Sequence, residues 1–297
     1  MNKIYLSDAG PKVSPAIYGF WRWEGNSSNG ETEMERIVNL CLELGINTFD
    51  HADVYGGYEC EALFGSVIKK KSFKREDIVL FSKCGLLVPD ANKPGVRIKH
   101  HDTSAKHITE SVTNSLQNLK TDYLDIFLLD GIDPLSNLEE AALTLERLRT
   151  SGKIKNIGVA NVTVFQHQLL ASYLRAPIVT NHIELNVLNT MALDNGQVDY
   201  IKQKYMRPIA ASPLADGRIE NGTDPLAVRV RQKLEEIGKK YDSNVESTAV
   251  AWLVKLGALP LIGTLKEQRI RNIANAFKID LDHQDWYDLY NTSKELH

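Results

Sequence analysis

Cysteine is scarce in this chain, and the three that occur lie far apart. Cys41, Cys60 and Cys84 form no C-x-x-C pair and are odd in number. Neither a disulfide framework nor a zinc site is indicated, so a reducing cytoplasm is the expected compartment. The chain also has no run of eighteen apolar residues, and its first fifteen residues hold no apolar core of signal-peptide length. We therefore expect a soluble, unexported, cytoplasmic protein.

The chain also lacks a large excess of positive or negative charge. The net charge of -3 gives no electrostatic case for binding nucleic acid or an anionic membrane. His100, His101 and His107 come without acid or thiol ligands at metal-binding spacing, so we read them as part of a polar loop and predict no metal. Nothing in the sequence indicates an oligomeric state. The 297 residues, 43% of them hydrophobic, are enough to bury one large core.

Strand and helix patterns alternate along the chain with unusual regularity. A small hairpin comes first, at Lys3–Tyr5 and 12–14, and a helical appendage comes last, at 283–296. Between Cys84 and His101 lies a loop long enough to be functional. Between the two ends, eight strand-like runs are predicted: 16–20, 46–49, 78–83, 124–129, 154–159, from 178, 208–211 and 259–262. Helical patterns follow them. The first three are 32–44, 59–69 and 103–119, the fourth starts at 136, the fifth ends at about 174, and the others are 194–204, 225–240 with 245–256, and 267–277.

Eight strands that alternate with helices predict a single (β/α)₈ barrel over residues 1–297, because no linker or composition break divides the chain. Thr32 with Glu35, and Ser136 with Glu139, are predicted to cap the first and fourth helices. A doubly wound sheet is the alternative. It would need a glycine-rich turn after the first strand, and residues 19–23 do not supply one.

Polar chemistry begins where the second predicted strand stops. An acid, Asp50, and a phenol, Tyr55, follow that strand, and an amine, Lys83, ends the third. Parallel α/β proteins place their active sites at the carboxyl ends of their strands. His51 and Asp53 face either this site or the surrounding helices.

Four phrases of the chain carry a resemblance to a known family. Residues 19–22, 50–65, 82–85 and 207–212 read GFWR, DHADVYGGYECEALFG, SKCG and RPIAAS. They nearly match GYWR, DHADIYGGYQCEAAFG, SKCG and RPMAWS of the bacterial YdhF-like branch of the aldo-keto reductases. The chain resembles that family almost from end to end.

The resemblance implies hydride transfer from a nicotinamide cofactor at the barrel mouth to a small-molecule aldehyde or ketone. Tyr55 would then supply a proton to the carbonyl oxygen, which gains negative charge. A phenol is a poor acid at neutral pH, so the Lys83 ammonium would favour its phenolate and ease proton release. Asp50 would keep that ammonium charged and oriented.

One position departs from the family. The family phrase YLDLLLIHRPDP has a histidine at the end of strand four, where this chain has Asp130. The histidine donates to the substrate oxygen, whereas an ionised carboxylate cannot donate. A protonated Asp130 could donate, since burial beside Asp50 would raise the pKa of one of the two acids. The steroid 5β-reductase branch has a glutamate here, so an acid is compatible with catalysis.

The cofactor positions match the family in part. After strands five and six, Ser-Asn and Asn-Gln of the family are replaced by Ala160-Asn161 and Asn181-His182. Lys266 and Arg269, at a helix start, would offer two cations to a 2′-phosphate, which favours NADPH over NADH. Trp21 and Trp23 follow strand one at the mouth, where they suit a pocket wall or the core. The predicted cofactor contacts are Trp21, Asn161, His182, Ser212, Pro213, Leu214, Gly263, Thr264, Leu265, Lys266 and Arg269.

Asp130 keeps two other functions open. One is a regulatory protein that binds the nicotinamide nucleotide tightly but reduces carbonyls weakly or not at all. The other is an epimerase or eliminase that retains its cofactor and uses Tyr55 or Asp130 as a base.

Overall fold

The computed structural model describes residues 1–23, 30–70 and 74–294. Its strands are mostly runs of buried aliphatic and phenylalanine side chains, which suits strands that are covered on both faces. They are β1 (Ile4–Tyr5), β2 (Lys12–Val13), β3 (Ile17–Gly19), β4 (Thr48–Asp50), β5 (Val79–Cys84), β6 (Leu86–Leu87), β7 (His100–His101), β8 (Leu124–Asp130), β9 (Ile154–Ala160), β10 (Ile178–Glu184), β11 (Ile209–Ala211) and β12 (Leu259–Ile262).

Eight of these strands close into a barrel in the order β3-β4-β5-β8-β9-β10-β11-β12. The pairs from β3 to β9 are parallel, and Lys83 of β5 lies opposite Leu128 of β8. At the amino terminus β1 and β2 form an antiparallel hairpin, with Ile4 opposite Val13. These findings confirm the predicted (β/α)₈ barrel and its hairpin, and they exclude the doubly wound sheet.

The helices follow the strands in the predicted alternation. Two of them, Pro225–Lys240 and Val245–Leu256, begin and end at the predicted residues. His283–Lys294 supplies the predicted carboxyl-terminal appendage, whose residues 295 and 296 lie outside the described part of the chain. The helices are α1 (Gly30–Glu43), α2 (Tyr55–Tyr58), α3 (Cys60–Lys69), α4 (Ala105–Asn118), α5 (Leu138–Thr150), α6 (Val164–Tyr173), α7 (Met191–Asp194), α8 (Gln197–Gln203), α9 (Arg218–Asn221), α10 (Pro225–Lys240), α11 (Val245–Leu256), α12 (Glu267–Asn275) and α13 (His283–Lys294).

Both predicted capping boxes are wrong. Helix α1 begins at Gly30, so Thr32 lies inside it. Helix α5 is capped by Asn137, whose side chain accepts from the Glu140 amide, while the Ser136 hydroxyl donates to Asp133. Serine and asparagine are both good caps, and the contact that Ser136 makes within its turn decides between them.

Two other segments differ from prediction in detail. The helix predicted at 194–204 begins later, as α8 at Gln197, because Gly196 before it adopts a left-handed conformation with φ of 77°. Only Asp194 of the predicted range lies in the preceding helix α7. The loop from Cys84 to His101 contains a second antiparallel hairpin, in which β6 pairs with β7 and Leu86 lies opposite His101.

The contacts within the chain divide it into two compact units, residues 1–181 and 182–297, and the boundary falls within β10. The single domain over 1–297 therefore stays a prediction. The first unit contains β1 to β9 and α1 to α6, and the second contains β11, β12 and α7 to α13.

A tryptophan pair joins α11 to α13 in the second unit. The rings of Trp252 and Trp286 stack with centroids 4.9 Å apart and planes 5° from parallel. Each indole N–H donates to the backbone carbonyl of the other residue, at 3.1 and 3.0 Å. Of the helices described here, none has both the length and the apolarity that crossing a bilayer requires.

Candidate active site

Three neighbouring strands of the first unit carry the predicted catalytic residues at their carboxyl ends. Asp50 is the last residue of β4, Lys83 is the penultimate residue of β5, and Asp130 is the last residue of β8. Tyr55 follows β4 after a four-residue turn and begins α2. Because parallel barrel strands end at one edge, the alternation of strand and turn brings these four residues together.

Asp50 and Lys83 form a buried ion pair. Lys83 Nζ lies 2.6 Å from Asp50 Oδ2 and also donates to the backbone oxygen of His51 at 2.9 Å. Their side chains are 0% and 3% exposed. Burial alone would lower the Lys83 pKa, but the charge of Asp50 and the contacts with Tyr55 outweigh it and raise that pKa. The lysine therefore carries its charge at neutral pH, as the sequence predicts.

Tyr55 lies over the lysine of this pair. Lys83 Nζ is 4.6 Å from the centroid of the phenol ring, which is half-buried. Burial raises the Tyr55 pKa above its ordinary value, and the lowering by the Lys83 charge is smaller. The expected influence of Lys83 thus has the right sign but does not set the net direction. Tyr55 is a protonated phenol at neutral pH, which is the state that a proton donor needs.

His51 belongs to the core. Its ring stacks on Phe20 with centroids 4.4 Å apart and lies 4.5 Å from Phe64. Burial lowers its pKa, and the Lys83 charge adds to this, so the imidazole stays neutral. Asp53 turns the other way, toward α4, where its Oδ2 accepts from Ser111 Oγ at 2.6 Å. The sequence left both orientations open, and the structure packs the His51 ring against phenylalanines of the core and the Asp53 carboxylate against α4.

Asp130 is paired with a residue that was predicted to bind cofactor. Asn161, just after β9, donates through its side-chain amide to Asp130 Oδ1 at 2.7 Å. Asn161 has a φ of 57°, a left-handed conformation that asparagine tolerates better than most residues. Asp130 is half-buried, whereas Asp50 is fully buried. Burial raises the Asp50 pKa, Lys83 lowers it, and the charge of Asp130 adds to the rise.

The two tryptophans after β3 separate into different environments. Trp23 is 4% exposed, and its ring centroid is 6.0 Å from that of Phe20, so it packs in the core. Trp21 is half-buried. Trp21 is therefore the one of the two that suits a pocket wall or a cofactor contact.

Comparison with known proteins identifies the family to which the chain is similar. The model of the aldo/keto reductase family matches residues 15–293. The 6-dehydroglucose reductase of Agrobacterium fabrum (strain C58 / ATCC 33970) is 36% identical over 98% of this chain and 97% of its own length. The oxidoreductase YdhF of Escherichia coli (strain K12) is 34% identical over 97% of this chain and 96% of its own.

The chain belongs to the aldo-keto reductase family, and it is an oxidoreductase. A solved structure supports the fold independently. The thermostable aldo-keto reductase Tm1743, crystallised with the inhibitor epalrestat, superposes with a TM-score of 0.85 at 23% identity and covers 98% of this chain and 100% of its own.

Aldo-keto reductases use nicotinamide cofactors, and the second unit holds most of the predicted contacts. The segment from Ser212 to Leu214 follows β11, and Ser212 has a left-handed φ of 49°. Ala215 and Asp216 just after it are also left-handed, at 49° and 52°. The Ala215 N–H donates to the Ser212 carbonyl at 2.8 Å and the Gly217 N–H to the Leu214 carbonyl at 3.0 Å, so the segment is a series of tight turns.

Two cations begin α12, but they differ in availability. Lys266 is the residue before the helix, its side chain is exposed, and its backbone N–H donates to Thr264 Oγ1 at 3.2 Å. Arg269 forms ion pairs with Glu220 and, at 2.8 Å, with Glu246 Oε1. The predicted pair of phosphate-binding cations therefore consists of one exposed lysine and one arginine that two carboxylates already hold. The segment before it, Gly263, Thr264 and Leu265, grows more exposed toward Leu265.

His182, the predicted replacement for the family glutamine, lies in the middle of β10 and is 3% exposed. In the first unit the Asn181 side-chain amide donates to the Val162 carbonyl at 2.8 Å. Within the described ranges, no group of three histidine, cysteine or acidic residues lies close enough to hold a metal ion.

Sequence reasoning missed the polar face of α4. It gave no role to Ser111 and Ser115, which are 3% and 0% exposed. His107, Ser111 and Ser115 recur every four residues, and this spacing would have revealed a polar stripe on one helix face.

Proposed function

We propose that this aldo-keto reductase is an NADPH-dependent carbonyl reductase in which Tyr55 protonates the substrate oxygen. The contact that carries the proposal is the one between Tyr55 and the buried pair Lys83–Asp50, with the ammonium 4.6 Å from the phenol ring and 2.6 Å from the carboxylate. A phenol beside a fixed cation can release a proton to a developing alkoxide, because the cation stabilises the phenolate that remains.

The roles of the residues follow from this contact. The nicotinamide, when bound, supplies the hydride that adds to the carbonyl carbon. Tyr55 gives its proton to the carbonyl oxygen, so the product is an alcohol and the phenolate is reprotonated from solvent. Lys83 lowers the cost of that phenolate, and Asp50 holds Lys83 charged. Burial of Asp50 and Lys83 keeps the contact between them strong, since water does not screen it.

The second unit fits a dinucleotide in two respects. The tight turns that begin at Ser212 suit a pyrophosphate by their place directly after β11, and the exposed Lys266 at the start of α12 suits an adenosine 2′-phosphate. Arg269 fits less readily, because it would have to leave Glu220 to reach a phosphate. We therefore propose NADPH over NADH on the strength of Lys266.

The acid at position 130, in place of the family's histidine, changes the class of substrate that we expect. An ionised carboxylate at this position accepts hydrogen bonds and repels a developing alkoxide, so it suits a carbonyl compound that also carries hydroxyl groups. A relative of this chain is named a 6-dehydroglucose reductase. We propose hydroxylated aldehydes and ketones, sugars among them, ahead of simple ones.

The test is NADPH oxidation with a panel of simple aldehydes, ketones, α-dicarbonyls and oxidised sugars. Wild-type protein should reduce members of the panel, and Tyr55→Phe should bind NADPH normally but reduce none of them. Tight NADPH binding without any reduction would instead support a regulatory protein. Turnover without net cofactor oxidation would support an epimerase or eliminase. The cytoplasmic location stays a prediction of the sequence.

A further inference from the structure

Asp53 lies between two catalytic residues, three positions after Asp50 and two before Tyr55. Its backbone N–H donates to the Lys83 carbonyl at 3.0 Å, and the Tyr55 N–H donates to the Ala52 carbonyl at 3.1 Å. The backbone that carries Tyr55 is therefore tied to β5 immediately before the phenol.

The Asp53 side chain adds a second attachment, to α4. Ser111 Oγ donates to Asp53 Oδ2 at 2.6 Å, and His107 Nε2 lies 3.7 Å from the same oxygen. The serine is 3% exposed, and the histidine and carboxylate side chains are each 14% exposed. His107 and Ser111 are four residues apart on α4, so both face Asp53 from one side of the helix. We call Asp53, His107 and Ser111 the Asp53 clamp.

The segment is also held on the far side of Tyr55. Gly56, Gly57 and Tyr58 have left-handed φ values of 58°, 64° and 70°. The Tyr58 hydroxyl donates to the Val88 carbonyl at 2.9 Å and accepts from the Val88 N–H at 3.0 Å. Tyr55 thus sits between two attachments, of which the Asp53 clamp precedes it.

Stability does not account for the carboxylate at position 53. Burial raises the Asp53 pKa to about 6, although Ser111 and His107 lower it. A buried carboxylate of this kind costs folding free energy at neutral pH, where it is ionised. Because stabilisation does not explain the carboxylate, the clamp is better explained by what it does to the neighbouring phenol.

We propose that Asp53 is a positioning residue, which Ser111 and His107 hold against α4 so that the turn from Asp50 to Tyr55 presents the phenol to the substrate oxygen. The proposal rests on the proposed role of Tyr55 as proton donor. Catalytic rates are sensitive to such placement, because an error of about 1 Å at a reacting group can cost about a hundredfold.

Paired variants on one helix test the proposal. Ser111→Ala removes the donor to Asp53. Ser115→Ala is the matched control, because Ser115 is equally buried one turn along α4 and contacts Ser82 instead, at 3.3 Å. Asp53→Ala removes the clamp from the other end, and Asp53→Asn keeps an oxygen that can accept from Ser111. Thermal unfolding of every variant verifies that it is folded.

Steady-state kinetics and amide hydrogen exchange measure the effect of these variants. We expect Ser111→Ala and Asp53→Ala to lower kcat by about ten- to a hundredfold with little change in KM, because a displaced donor slows chemistry more than binding. Amide hydrogen exchange across residues 51–58 should accelerate in the same two variants. Asp53→Asn should recover most of the lost rate and protection.

The exchange measurement needs no substrate, so it separates this proposal from the proposed function. If wild-type protein reduces nothing in the panel, the carbonyl reductase fails while exchange still decides whether the clamp orders the turn. If Ser111→Ala and Ser115→Ala give the same kcat and the same exchange across residues 51–58, the positioning role is overturned. It is also overturned if Asp53→Asn recovers no more than Asp53→Ala.

Discussion

The side-chain amide of Asn161 donates a 2.7 Å hydrogen bond to Oδ1 of Asp130. The pair joins the carboxyl ends of β8 and β9, which are adjacent in the barrel, where Asp130 itself lies opposite Ala160. In this pair the Asp130 oxygen accepts, as it would from a substrate hydroxyl group. The geometry thus supports the proposed role of Asp130 as an acceptor of substrate hydroxyl groups.

Asp130→His should raise the rate for simple aldehydes. It restores the family's donor to the substrate oxygen, and one such hydrogen bond in the transition state is typically worth about a hundredfold or more in rate. Steady-state NADPH oxidation with and without a substrate hydroxyl measures the change. Asp130→Asn, which can donate through its amide, should give a smaller gain. If Asp130→His leaves the whole panel unreduced while NADPH still binds, the regulatory alternative replaces the reductase.

Asp50→Asn should destabilise the fold as well as slow the reaction. Lys83 is 3% exposed and loses its charged partner, and breaking a buried ion pair costs roughly 3–5 kcal/mol. The raised Lys83 pKa means that the lysine's contribution is complete at neutral pH and is lost only as pH rises through that pKa, so urea unfolding at pH 7 measures the full effect.

A double variant separates the structural from the catalytic role of this pair. Asp50→Leu with Lys83→Met replaces both charges by apolar groups and should recover much of the lost stability while remaining inactive. Full activity in the double variant would show that the pair serves folding alone.

Glu220→Gln should tighten NADPH binding and leave NADH binding nearly unchanged. The Glu220 carboxylate, 50% exposed, pairs with Arg269 and competes with a 2′-phosphate for it. Lys266→Ala should weaken NADPH binding and so narrow the difference in affinity between NADPH and NADH. Fluorescence titration of both nucleotides gives the affinities, and equal wild-type affinities for NADPH and NADH would refute the role of Lys266.

Asp53→Asn should make the protein more stable at pH 7.5 than the wild type. The folded Asp53 pKa of about 6 exceeds the usual value near 3.8, so the folded state binds more protons between these values, and stability falls as pH rises through that window. The groups around this carboxyl are His107 and Ser111 on α4, Glu61 on α3, and Lys93. Two pKa units correspond to a gain of up to roughly 3 kcal/mol in the variant above pH 6.

Urea unfolding at pH 4 and pH 7.5 measures this gain. The difference between variant and wild type should be small at the lower pH and large at the higher. Asp8→Asn, at an exposed aspartate, controls for the loss of one negative charge. Parallel pH profiles for wild type and Asp53→Asn would contradict the prediction.

The arrangement of the candidate site was predictable because it depends on where the strands end. Asp50 and Lys83 lie at the ends of strands that periodicity reveals, and Tyr55 follows one of them. Parallel strands bring these ends together whatever the details of the helices. The state of Arg269 was not predictable, since Glu220 and Glu246, which hold it, lie 49 and 23 positions earlier in the chain. The partners of Asp53 and Asp130 were not predictable for the same reason. They lie on α4 and in the turn after β9, which are far from the two aspartates in the sequence and come close only in the folded chain.

The stacked pair Trp252–Trp286 should give a spectroscopic signal that reports on the second unit alone. The other two tryptophans, Trp21 and Trp23, lie in the first unit. The indoles are held 4.9 Å apart in fixed orientation, so they should give a near-ultraviolet circular dichroism signal that is lost when α13 leaves α11. The intensity of that signal against urea, compared with total tryptophan fluorescence, tells whether the two units unfold in one step or separately.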